Sequence, residues 1–289
     1  MRKAVVLMSV LLLAAMLLGG IAYADGNVTN GARLYDKWWG VTGADAPTTD
    51  MPLWASQSTN TRSGKDSWRC KECHGWDYKG KDGAYASGSH ATGFAGVYDA
   101  QSKSVEDLVS ALKGGTNADH DFSASLDDAA LTDLATFIKT GLVDDSQYID
   151  YATKAGTGDA TNGKAKYDGF CAACHGADGQ TINFKDEAAP EYVGTLANDN
   201  PQEFLHKARF GQPDGAMPAS NDMGWSVQDA ADVLAYAQTL PTGEEAAAAA
   251  PAELPTTGSS QTTWPYVILA GFAVLLLGGV STFALRRRS

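Results

Sequence analysis

Two stretches of the chain carry an apolar stripe of helical period. In one, Leu131, Leu134, Ala135 and Ile138 recur at i, i+3, i+4 and i+7, and in the other Val233, Tyr236, Ala237 and Leu240 do the same. Both are predicted helices. Each is preceded by a candidate capping box, Ser125 with Asp128 and Ser226 with Asp229, and followed by a stop signal, Gly141 or Pro241. Two further runs are apolar throughout. Ala4 to Ile21 follows Arg2 and Lys3 and precedes Ala22-Tyr23-Ala24, which reads as a signal peptide over 1–24 with the mature chain starting at Asp25. Tyr266 to Leu285 is an uncharged run of 20 residues, the length of a helix that crosses the hydrocarbon layer. Arg286, Arg287 and Arg288 follow it, which predicts a cytoplasmic C-terminus with everything before the span outside.

The interior repeats. Gly26-Asn-Val-Thr-Asn-Gly31-Ala-Arg-Leu-Tyr35-Asp36 resembles Gly158-Asp-Ala-Thr-Asn-Gly163-Lys-Ala-Lys-Tyr167-Asp168, and each copy opens a unit that one of the striped helices closes. The expected organisation is all-α: a first domain over 25–148, a second over 149–241, a linker over 242–263, and a membrane helix with a basic tail over 264–289. The first domain has an insertion over 39–68. It is rich in Gly, Thr, Ser and Asp without helical period, so it reads as a long surface loop that covers a site, docks a partner or is merely solvated.

Charge narrows the partners. Without Arg2, Lys3 and the three terminal arginines, 17 basic residues face 34 acidic ones. Such a surface disfavours nucleic acid and anionic lipid, and suits redox proteins with basic surfaces as well as plain solubility.

Four cysteines in an exported chain would ordinarily suggest two disulfides. Their spacing points elsewhere, because Cys70-Lys-Glu-Cys73-His74 and Cys171-Ala-Ala-Cys174-His175 are two copies of the CxxCH haem-attachment sequence. Two thiols one helical turn apart reach the two vinyl groups of a haem, and the adjacent histidine reaches the iron. A redox disulfide or half a zinc site needs only the CxxC, so the paired histidines count against both.

With these motifs the chain resembles the small helical cytochrome c family over about 27–142 and 156–241. The resemblance implies two covalently bound c-type haems, each filling the core of a domain that packs its first helix on its last. His74 and His175 would be the proximal ligands.

Distal ligands follow from comparing the copies. Met217, in Gly215-Ala-Met217-Pro218 after a helix-like stretch ending at Phe210, resembles the Met-Pro loop of that family; Met223 lacks the proline, and His206 reads as a surface histidine. The first copy has no methionine after its motif. Gly114 to His120 has the separation of Gly211 to Met217, so His120 stands where Met217 stands, with His90 and Met51 as competitors. A thioether raises the potential relative to a second imidazole, so the first haem is expected to be the lower in potential.

Leu254-Pro-Thr-Thr-Gly258, ahead of the apolar run and the arginines, resembles a cell-wall sorting signal. Either a membrane tail or wall attachment leaves the haems outside the cytoplasm. The expected function is electron carriage without bond chemistry, with no catalytic residues. Alternatives are a haem enzyme with an open distal site on the first haem, or an electron-transfer subunit of a larger respiratory complex.

Overall fold

The structure, a computed structural model, describes residues 26–243. The expected signal peptide, the LPTTG segment and the expected membrane helix lie outside the described residues, and among the described ones no helix is long and apolar enough to cross a membrane.

The all-α expectation holds. In the first half, α1 (Val28–Thr42) is capped by Asn27 and bends at Lys37. Then come α2 (Cys70–His74), α3 (Val105–Leu112) and α4 (Asp128–Thr136), which runs on into a π turn, Phe137–Gly141. In the second half, α5 (Ala160–Lys166) passes through a π turn, Tyr167–Cys171, into α6 (Ala172–His175). There follow α7 (Val193–Asp199), α8 (Pro201–Phe210) and α9 (Val227–Ala237). Short 3-10 turns and isolated β-bridges accompany them, with no strand among the described residues.

One capping expectation needs correction. Ser226 and Asp229 form the capping box of α9, but α4 is capped by Asp127, whose side chain accepts from the Ala130 N–H. The Ser125 N–H instead donates to the Phe122 carbonyl, so that residue belongs to the preceding turn.

The repeat has a physical basis. In each half the opening helix crosses the closing one, α1 on α4 and α5 on α9. At the crossing, a Cβ on Gly31 would strike the Asp133 carbonyl and one on Gly163 the Asp232 carbonyl. Those aspartates then pin the start of the opening helix. Asp133 accepts from the Asn27 N–H and the Asn30 amide, both at 2.7 Å. Asp232 accepts from the Asp159 N–H at 2.8 Å and the Asn162 amide at 2.5 Å. The repeated tyrosines tie each opening helix to its CxxCH, since Tyr35 donates to the Gly75 carbonyl at 2.6 Å and Tyr167 to that of Gly176 at 3.0 Å.

Two hydrophobic clusters result, one in each half, with a single exception to their separation. Phe210, at the end of α8, is fully buried in the cluster of the first half. Residues 26–243 accordingly fall within one compact unit.

The insertion differs from a solvated loop. α1 runs to Thr42, and the rest holds only two single turns, Pro52–Ser56 and Gly64–Trp68. Met51 and Trp54 nevertheless lie in the first core, with the Met51 N–H donating to Ser67 and the Trp54 indole to the Arg62 carbonyl. Short-range periodicity misses such a segment, because its apolar side chains are spaced by turns rather than by a helix.

Candidate functional site

In the first half α2 carries Cys70, Cys73 and His74 on a single turn. No two of the four cysteines are joined in a disulfide. Burial pushes Cys70 and Cys73 up to about 12 and Cys171 up to about 11, so these sulfurs are protonated at neutral pH.

His74 is pushed down to about 4 by burial and is therefore neutral. Its Nδ1–H donates to the Ala95 carbonyl at 2.7 Å, which leaves Nε2 with a free lone pair. His120 sits on the loop between α3 and α4, and burial holds it too below its ordinary value. Its Nδ1–H points to the Ala111 carbonyl at the longer distance of 3.4 Å. Phe122 braces its ring edge-on at 5.2 Å, and the Phe122 N–H closes the loop on the Leu112 carbonyl.

The His74 and His120 rings stand 6.2 Å apart at 76°. Two imidazoles on opposite sides of one metal ion, each bond about 2 Å long, have centroids about 6 Å apart. The spacing therefore suits an iron held between them. Anchoring of each Nδ1 on a backbone carbonyl is the arrangement that orients metal-binding histidines.

The competitors are otherwise engaged. His90 donates from Nδ1 to Glu72 at 2.9 Å, accepts at Nε2 from Arg62 at 3.0 Å and stacks on Tyr85, so neither nitrogen is free. Met51 is packed in the core.

Glu72, between the two cysteines, is a residue that motif reading passed over. It is fully buried, and although burial raises its pKa, His90, Lys71 and Asn60 hold it well below the usual carboxylate range. The only hint in the sequence is that the first motif has Lys-Glu where the second has Ala-Ala.

In the second half α6 presents Cys171, Cys174 and His175. Phe184 meets the His175 ring edge-on at 5.7 Å. His175 Nδ1 is buried with no hydrogen-bond partner, a desolvated group that calls for compensation. Met217 is half-buried on the loop after α8, while Met223 is 41% exposed on the Asn221–Met223 turn. Gly114 and Gly211, which begin the two distal loops, share the same φ of +77°. Both loops thus begin at a backbone conformation that favours glycine.

His206 is corrected. It is 2% exposed rather than a surface residue. Its Nε2–H donates to the Ala32 carbonyl at 3.1 Å, and its Nδ1 accepts from the Tyr78 hydroxyl at 2.9 Å, so it joins the two halves.

Among the described residues no three Cys, His, Asp or Glu side chains converge as a metal cage. A zinc site built on either CxxC would thus lack ligands, whereas paired thiols beside a neutral imidazole fit a haem. Such a site resembles the haem-attachment site of a c-type cytochrome. Residues 158–236 match the model of the family described as Cytochrome C oxidase, cbb3-type, subunit III, which supports a c-type cytochrome with haem-based electron transfer. No curated protein and no solved structure gives a match.

Proposed function

We propose that the protein is a dihaem electron carrier held outside the cytoplasmic membrane by its C-terminal segment, as a membrane tail or joined to the wall. Cys70 and Cys73 attach the first haem and Cys171 and Cys174 the second. His74 and His120 are the axial pair of the first iron, and His175 and Met217 of the second. The observation that carries this reading is the approach of the His74 and His120 rings to 6.2 Å, with both Nδ1 atoms turned to backbone carbonyls.

Haem iron supplies one-electron exchange when bound. The chain's own part is to hold ligand nitrogens in the neutral tautomer, to exclude water with the Phe122 and Tyr35 side chains, and to keep both irons within one compact unit. The family match over the second half favours a carrier over an enzyme. The acidic exported surface suits redox partners with basic surfaces and not nucleic acid.

A visible-light redox titration of residues 25–263 with both haems attached, with and without carbon monoxide, tests the reading. Two low-spin steps are expected, the lower from the His74/His120 haem, with neither responding to carbon monoxide. A high-spin first haem that binds carbon monoxide would overturn the His120 assignment and favour an enzyme.

A further inference from the structure

The loop that carries Met217 is held from the other half of the molecule. On α1, Arg33 before the bend, Lys37 at it and Gly40 beyond it all lie along Gly211 to Met217. Arg33 Nε donates to the Phe210 carbonyl at 2.7 Å and its Nη2 reaches the Met217 carbonyl at 3.4 Å. Lys37 pairs with Asp214 at 2.7 Å. Gly40 leaves room for Pro213 and Asp214, its missing Cβ lying 3.4 and 3.1 Å from theirs. Lys207 bonds both Asp36 at 2.5 Å and Gln212 at 2.7 Å, which extends the clamp to the start of the loop.

Asp36 recurs in the second copy as Asp168, but Arg33 and Lys37 do not recur. In the repeat, Arg33 corresponds to Ala165 and Lys37 to Gly169. The equivalent loop of the first half is instead tied within its own half, through the Phe122 N–H to the Leu112 carbonyl and the Lys113–Asp121 bridge. The asymmetry matches the ligands. An imidazole can be oriented by its second nitrogen, whereas a thioether sits on a flexible, uncharged chain and is placed by its backbone.

We infer that Arg33, supported by Lys37, is a positioning residue for the distal ligand of the second haem, so that α1 of the first half holds the Met217 thioether in place. This rests on the assignment of Met217 proposed above. A guanidinium donating to two carbonyls at the two ends of a loop closes that loop with charge-assisted bonds. Without it the loop opens and the sulfur leaves first.

The test compares the full dihaem chain with R33A, R33K and K37A. The readouts are the charge-transfer absorption of a methionine sulfur bound to ferric haem, carbon monoxide binding and the potentials of both haems. R33A is expected to raise the sulfur-dissociated fraction about tenfold or more, to let the second haem bind carbon monoxide and to lower that haem's potential alone. R33K is expected to restore part of the band, and K37A to move it less in the same direction. An unchanged band and potential in R33A overturn the inference. So does a loss accompanied by loss of the first haem's low-spin spectrum and not relieved by R33K, which marks general unfolding. A wild-type chain with two attached haems but no sulfur band overturns the Met217 assignment itself.

Discussion

His206 illustrates how a single polar side chain changes meaning with its surroundings. It lies on α8 between residues that read as an exposed face, yet α8 packs into the first half, and Tyr78, Trp76 and Phe137 enclose the imidazole. Burial pushes its pKa down to about 3 from an ordinary 6.5, with Asp36, Lys207 and Arg209 as the charges that face it. The folded state therefore holds fewer protons than the unfolded one between those two values. Stability is complete above about pH 6.5 and is lost as pH falls toward 3. Asp36 acts in the same direction lower down, because Lys207 and Arg69 outweigh its burial and hold its carboxylate well below the usual range. Thermal unfolding of H206Q across this range should show a flatter acid slope, since the amide offers one donor and one acceptor without titrating. H206F should lose about 1–3 kcal/mol at neutral pH, because the Tyr78 hydroxyl and the Ala32 carbonyl are left unpaired.

Between elements, the decisive feature is the pair of helix crossings at Gly31 and Gly163. The repeat displays both glycines at matching places. The reason for them is visible only when the closing helix is laid across, with the Asp133 and Asp232 carbonyls where a Cβ would go. G31A and G163A should each cost about 1–3 kcal/mol through overpacking. G169A, where a Cβ meets nothing within 4 Å, is the control and should leave the melting temperature nearly unchanged. Equal loss at all three positions would mean that helix geometry rather than contact sets the cost. The same comparison of copies set His120 where Met217 stands, and both loops begin at a glycine with φ of +77°.

Across the whole molecule, the two halves behave as one body because α8 of the second completes the core of the first. Phe210 is fully buried there, its ring 5.4 Å from Phe137. Around it, Lys207 pairs with Asp36 and Arg209 donates to the Gly141 carbonyl at 3.3 Å. F210A should therefore cost about 3–5 kcal/mol and lower the unfolding midpoint reported by the first haem, although the residue lies in the second half. Wild-type unfolding followed at the two haems should give one coincident transition. Two separated transitions would show the halves to be independent.

Local chemistry was readable from residue order alone: the two CxxCH turns, the striped closing helices, the Ser226 capping box and the repeat itself all lie within a few residues of chain, where spacing dictates which side chains share a turn. What faced what across the chain was not readable. Met51 and Trp54 inside the first core and His206 between the halves depend on elements far apart in sequence, whereas His120 was set at the distal position of the first motif by comparing the copies. Arg33 reaches the Met217 loop across 184 positions of sequence. Periodicity marks the face an element buries but not the partner it buries against, and only packing of the two halves into one unit selects that partner.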